Sequence, residues 1–255
     1  MSFEVPADAY GRFMGRYSTP LAHELLGLVA PQSGQRALDV GCGPGVLARQ
    51  LVDVLGAEAV AAVDPSAAFV AAARELLPGV DVRQASAEAL PFPDDAFDIA
   101  LAALVVHFMS DPVAGIAEMA RVTRPGGFVA ASVWDYENER SPVSAFWRAA
   151  GDLDPEAPGE LQLPGVREGQ LLDYFERAGL RDVRPTTLAV HVEVAGFDDW
   201  WEPYTLGTGP AGAYVAGLDA QRRAALRAHC AELLPDGPFT VDASAWAATG
   251  RVRST

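Results

Sequence analysis

The chain is predicted to fold as an α/β protein, a parallel β-sheet with helices on both faces. Three observations predict it. Strand and helix signals alternate from residue 36 to residue 134, the pattern that right-handed crossovers wrap into a parallel sheet. The strand signals are continuous apolar runs such as IALAALVV, which marks strands buried on both faces. The first of them, ALDV, runs into a turn with three glycines and then a helix, as at the carboxyl edge of open α/β sheets.

In order along the chain, residues 20–30 (PLAHELLGLVA) carry apolar side chains at helical spacing, behind an aromatic and basic lead-in at residues 10–17. Strands are expected at 36–40, 59–63, 80–85, 97–103 and 127–134, with helices at 45–56, 66–77 and 112–123. Past Trp134 the rhythm breaks. Residues 135–166 hold Pro142, Pro155, Pro158, Gly159, Pro164 and Gly165, a loop-rich insertion with one short helix around SPVSAFWRAAG. A helix at 167–179 leads into a long strand region, RDVRPTTLAVHVEVA. Residues 197–234 form a second, mostly helical insertion. The alternation in FTVDASAWAATGRV predicts a last strand at the sheet edge, and no internal repeat is visible.

A chain of 255 residues can bury a full core as one domain with insertions. Half its residues are hydrophobic and 21% are charged, the composition of an ordinary globular protein. The 19 Lys plus Arg against 34 Asp plus Glu leave a net charge of −15. Such a surface repels phosphate backbones and anionic lipid, so neither nucleic acid nor membrane is expected as a partner. Two cysteines, Cys42 and Cys230, do not make a disulfide framework and fit a reducing compartment. The N-terminus lacks the apolar core of a signal peptide, and the run at 99–106 is too short to span a bilayer. A cytoplasmic protein is expected, and no set of His, Cys and carboxylates has metal-ligand spacing.

The turn GCGPG carries the chemistry. Its glycines permit unusual dihedrals and let a ligand touch the main chain, although a tight strand-to-helix turn needs glycine too. They fall as G-x-G-x-G at Gly41, Gly43 and Gly45, not as the G-x-G-x-x-G of dinucleotide sites. Asp39 stands two residues earlier, an odd neighbour for a pyrophosphate and a better one for a positive or zwitterionic ligand. At the end of the next strand, AAVDPS puts Asp64 where a carboxylate can accept both hydroxyls of a ribose; an N-terminal helix acid is the alternative.

Four stretches, ALDVGCGPG, AAVDPS, ASAEALPFPDDAFDIALAALVVHF and RVTRPGGFVAASVW, together resemble the class I S-adenosylmethionine-dependent methyltransferases. They are most similar to the branch that includes the ubiquinone- and menaquinone-biosynthesis enzymes (methyltransferase type 11). The resemblance spans residues 10–134, and beyond them only the outline matches. It implies a Rossmann-like, seven-stranded, mostly parallel sheet with the last strand antiparallel. It also implies a helical lid over residues 1–35, a cofactor core at 36–134, and cap insertions for the acceptor at 135–166 and 197–234, all within one domain, 1–255. Carried over residue by residue, Gly41, Cys42 and Gly43 pass under the methionine and ribose of S-adenosylmethionine, and Asp39 anchors the loop or the amino group. Asp64 holds the ribose hydroxyls and Pro65 lies against adenine. Ser86 and Ala87 meet the adenine edge, although many relatives carry Asp at the position of Ser86. Ala102 and Ala103 offer carbonyls to the methionine amino group. Tyr10 and Arg16 belong to the lid, Arg16 able to pair with the cofactor carboxylate, unless this segment is simple helix packing.

Methyl transfer from a sulfonium needs in-line positioning more than acid–base help. Where the acceptor is a hydroxyl or an acidic carbon, His107, just past the fourth strand, is the candidate base; a helix-start histidine packed under the lid is the commoner occupant of such a position. Aromatics gather in the variable parts: Trp134 and Tyr136, Trp147, then Trp200, Trp201 and Tyr204. They would suit a small apolar or aromatic acceptor, though each residue type is also a common core residue. Two other readings are a non-catalytic S-adenosylmethionine-binding protein and an NAD-dependent oxidoreductase. The glycine spacing and the stretch from Glu88 to Phe92 count against the latter.

Overall fold

The computed structural model describes residues 7–253, so residues 1–6 of the expected lid and residues 254–255 lie outside the described residues. The strands are β1 Ala37–Val40, β2 Val60–Asp64, β3 Asp81–Gln84, β4 Phe97–Ala103, β5 Thr123–Trp134, β6 Arg181–Val194 and β7 Phe239–Arg251. They form one sheet in the order β3-β2-β1-β4-β5-β7-β6. The first five run parallel, and β7 is antiparallel to both β5 and β6. This is the mostly parallel, Rossmann-like arrangement, with its crevice between β1 and β4 where the strand order reverses.

Continuous apolar runs produce the centre of the sheet. All four residues of β1 and all five of β2 are buried, and Leu38, Ile99 and Leu101 are fully so. Each such side chain contributes about 1.5–3 kcal/mol relative to exposure. One face packs against α2 (Arg16–Val29), α3 (Val46–Leu55) and α4 (Ala67–Leu76). The other packs against α5 (Pro112–Val122) and α7 (Gln170–Arg177). Side-chain caps stop two of these helices from extending backwards: Ser66 accepts from the Phe69 N–H, and Asp111 from the Ala114 N–H ahead of Pro112.

Two expectations need correction. The first helix does not begin at residue 20. It continues from α1 (Ala7–Tyr10) through a π turn, Gly11–Gly15, into α2. Pro20, which has no N–H to give the Arg16 carbonyl, stands in the second turn of α2, and the Thr19 hydroxyl beside it donates to the Gly15 carbonyl at 2.8 Å. The second correction concerns β7, which is an interior strand; β6 forms the edge. Residues 245–249 and 251 of β7 pair with both neighbours, whereas 239–244 pair with β6 alone. The alternation of FTVD belongs to that protruding ribbon, not to an edge.

The ribbon supports the two insertions. The first contains α6 (Ser144–Leu153). The second contains α8 (Phe197–Trp201), a 3-10 turn Glu202–Leu206, α9 (Gly209–Gly217) and α10 (Ala220–Leu233). They share a third apolar cluster in which Phe146, Trp200, Trp201, Tyr204 and Leu226 are buried, with Phe13 of the lead-in and Phe239 of the ribbon packed into it. No helix among the described residues is long and apolar enough to cross a membrane.

Candidate active site

The chain turns from β1 into α3 through three left-handed residues, Gly41 (φ +71°), Gly43 (+53°) and Gly45 (+101°). Any L side chain there costs about 1–2 kcal/mol in backbone strain, and the three positions differ in surroundings. A Cβ on Gly41 would lie 2.4 Å from Val105 Cγ2, and one on Gly45 2.8 Å from Leu77 Cδ1. The protein itself fills those spaces. A Cβ on Gly43 meets nothing nearer than Tyr10 Cε1 at 4.0 Å, so Gly43 alone faces open room.

The amides of the loop are bonded within the protein. Gly41 and Cys42 N–H donate to the Val63 carbonyl at 2.8 and 2.9 Å. Gly43 N–H donates to Asp64 Oδ2 at 2.9 Å, and Ser66 N–H to Asp64 Oδ1 at 2.8 Å. Ala48 N–H donates to Asp39 Oδ2 at 2.9 Å, which sets a carboxylate against the start of α3. A helix start so occupied is a poor phosphate cradle. Asp39 and Asp64 are both buried. Burial pushes Asp39 up to about 7, against the lowering effect of the Ala48 bond. Burial also holds Asp64 above the usual carboxylate range, against the bonds from Ser66 and Gly43. Two desolvated acids beside an open main-chain position suit a ligand with positive charge.

The neighbouring residues line the same carboxyl edge. Pro65 is exposed, and its carbonyl accepts from Gln84 Nε2 at 3.0 Å. Ser86 is exposed and Ala87 buried in the turn after β3. Ala102 and Ala103 end β4 opposite Ala131 and Ser132. Cys42 is buried, and burial raises its thiol pKa well above the ordinary value. Tyr10 bridges the lead-in to this edge, its ring 5.3 Å from Phe69. Arg16 donates to Asp199 instead, through Nη2 to Oδ1 at 3.0 Å and Nη1 to the carbonyl at 3.4 Å, so in this structure it ties the lead-in to α8.

Next to this edge lies a cavity of about 430 Å³ including its mouth, bounded by Tyr10, Leu104, His107, Trp134, Tyr136 and Glu160 among others. Leu104 is strained at φ +61° and is held there by its N–H bond to the Ser132 carbonyl at 2.9 Å; strain of this kind collects at functional sites. His107 sits on the 3-10 turn Val106–Phe108, and its Nδ1 is buried with no hydrogen-bond partner among the described residues. Burial pushes its pKa down to about 3, so the ring stays neutral and is a weak proton acceptor. Of the six aromatics expected to face an acceptor, Trp134 and Tyr136 are on the wall. Trp147 is half-buried behind it, donating its indole N–H to Glu160 Oε1 at 3.2 Å. Trp200, Trp201 and Tyr204 lie inside the cap core, Tyr204 stacked on Phe146 at 4.6 Å, because the two insertions bury their apolar faces against each other. Among the described residues, no group of three or more His, Cys, Asp or Glu is arranged to hold a metal.

The two perturbed groups give opposite pH signatures. Asp39 titrates near 7 in the folded state and near 3.8 otherwise, so its contribution is present at low pH and lost as pH rises through 7. His107, lowered from 6.5 to about 3, contributes above pH 6.5 and loses that contribution as pH falls. Relative to wild type, Asp39→Asn should gain stability as pH rises from about 4 to 7, and His107→Gln should lose it over about 3 to 6.5. Denaturation midpoints across this range check it. Curves that run parallel to wild type would mean that neither group is buried as described.

Residues 38–131 match the family model for a methyltransferase domain. The chain is 31% identical over 199 residues to a malonyl-[acyl-carrier protein] O-methyltransferase of Erwinia billingiae, covering 76% of this chain and 73% of the other. It is 34% identical to the enzyme of the same name from Serratia marcescens over 48% of this chain and 50% of that one. For the first four curated relatives, the matched region spans about half of their length. The fold is similar to that of a Bacillus halodurans protein solved as a candidate methyltransferase. The TM-score is 0.60 at 18% identity, covering 91% of this chain and 99% of that one. With the sheet order, the glycine turn and the two edge acids in place, the chain belongs to the class I S-adenosylmethionine-dependent methyltransferases.

Proposed function

We propose that this chain transfers a methyl group from S-adenosylmethionine to a small, apolar or aromatic acceptor. The observation that carries the proposal is the single open glycine, Gly43, beside two buried acids and a mostly apolar cavity. When bound, S-adenosylmethionine supplies an activated methyl group on sulfur and leaves as S-adenosylhomocysteine. The chain's own residues bind, orient and exclude water. Asp64 would hold the ribose hydroxyls with lone pairs not used by Gly43 and Ser66, and Asp39 would fix the loop through Ala48. Tyr10, Gly41, Cys42 and Gly43 would line the methionine and ribose path, Pro65, Ser86 and Ala87 the adenine, and the carbonyls of Ala102 and Ala103 the amino group. The lead-in and both insertions would act as lid and caps. The motifs resemble the quinone-biosynthesis branch, and the apolar wall supports an acceptor of that character. Two free, buried cysteines and a net charge of −15 support a reducing, cytoplasmic setting.

Binding without turnover is a second reading, favoured by the weak basicity of His107. An NAD site is disfavoured by loop amides already bonded to Val63 and Asp64. Calorimetry should give heat with S-adenosylmethionine and S-adenosylhomocysteine and none with NAD, and an acceptor panel should release S-adenosylhomocysteine. Heat with NAD alone would overturn the cofactor assignment. Binding with no product across the panel would favour the second reading.

A further inference from the structure

Glu160 is the charged residue on the cavity wall that the methyl-transfer reading leaves without a task. It is 6% exposed and comes from the proline-rich first insertion. Its carboxylate accepts from the Trp147 indole N–H and from the Tyr136 hydroxyl. No basic side chain among the described residues answers its charge there. No arginine lines the cavity among the described residues, and the chain contains no lysine. The two arginines of the lead-in are engaged elsewhere, Arg12 with Glu202 and Arg16 with Asp199. Residues 1–6, MSFEVP, carry no basic side chain. Three other wall residues hold buried polar atoms with no hydrogen-bond partner among the described residues: His107 Nδ1, Trp134 Nε1 and Thr208 Oγ1. Buried polar atoms are normally paired, so these three unpaired atoms and the Glu160 carboxyl, gathered on one apolar cavity, call for a ligand with polar atoms of its own.

We propose that Glu160 is the specificity-determining residue for the acceptor, taking a hydrogen bond from an N–H or O–H group on an apolar body and excluding acceptors that present a free carboxylate. This rests on the methyl-transfer reading and narrows it. Burial with no cation opposite raises the pKa of Glu160 against the lowering bonds from Tyr136 and Trp147. In its ionised form the carboxylate stabilises a hydrogen-bond donor and opposes a second anion in the same low-dielectric space. Trp147 and Tyr136 position the carboxylate, and they leave it lone pairs for a third donor. His107, neutral because it is buried, serves as a further hydrogen-bond partner rather than a counter-charge.

The test uses the full chain saturated with S-adenosylhomocysteine, and calorimetry of three probes of one shape: para-ethylphenol, para-ethylaniline and para-ethylbenzoate. The phenol or the aniline should bind, and the benzoate should bind at least about tenfold more weakly than the better of them. In Glu160→Gln, affinity for S-adenosylhomocysteine should stay the same. The preference should shrink by about tenfold or more from both sides, with weaker donor binding and stronger benzoate binding. A purely structural role for Glu160 would leave that ratio unmoved. Benzoate binding as tightly as the donors in wild type, no binding of any probe, or an unchanged ratio in Glu160→Gln overturns the proposal. The wild-type comparison decides it even if the variant does not fold. Failure of S-adenosylhomocysteine itself to bind strikes the methyl-transfer reading instead, so the two failures are distinct.

Discussion

Gly43→Asn is expected to lower affinity for S-adenosylhomocysteine by at least about a hundredfold, about 2.8 kcal/mol, while leaving the fold intact. The left-handed backbone at Gly43 is one that asparagine adopts more readily than other side chains. The variant thus separates blockage of the ligand path from backbone strain. Gly41→Ala provides the contrast. Its methyl group would meet Val105 at 2.4 Å in a residue with φ +71°, so overpacking of about 1–3 kcal/mol adds to the strain. Gly41→Ala should therefore lose stability first, seen as a lower denaturation midpoint without any ligand. Normal binding by Gly43→Asn would mean that the open room beside Tyr10 is not the cofactor's path.

Asp64→Ala should weaken cofactor binding by about 1.5–3 kcal/mol, the range for a charged hydrogen-bond partner. The structure adds a second consequence. Asp64 accepts from both Gly43 and Ser66 N–H, so its removal leaves two backbone donors unsatisfied and loosens the glycine turn. Asp64→Asn separates the two effects, because its amide oxygen can still accept one of those bonds. Cofactor affinity unchanged in a folded Asp64→Ala protein, measured by calorimetry, would reduce Asp64 to a turn-stabilising residue.

The strands β1, β2 and β4 were legible because a strand buried on both faces must be continuously apolar, as ALDV and IALAALVV are, whereas the edge strand β3 (DVRQ) buries only Val82. The turn was legible because positive φ at three alternate positions demands glycine. What a missing side chain makes room for was not legible: Val105 and Leu77 fill two of the three spaces, and both are distant in sequence. The place of β7 was hidden because one strand serves two environments, a protruding ribbon and the sheet interior. Trp200, Trp201 and Tyr204 misled for a related reason. An insertion large enough to cap a site needs a core of its own, and aromatic composition does not separate that core from a pocket wall. Glu160 left no trace in the sequence, since a buried acid is recognised only by its partners, and Trp147 and Tyr136 reach it through tertiary packing alone.

A crystal structure of the S-adenosylhomocysteine complex tests the central claim most directly. The ligand should lie across the β1–β4 crevice with its main-chain contact at Gly43 and its ribose at Asp64. Its sulfur should face the cavity bounded by Leu104, His107, Tyr136 and Glu160. A sulfur atom facing open solvent, or a ligand bound away from Gly43, would contradict the account.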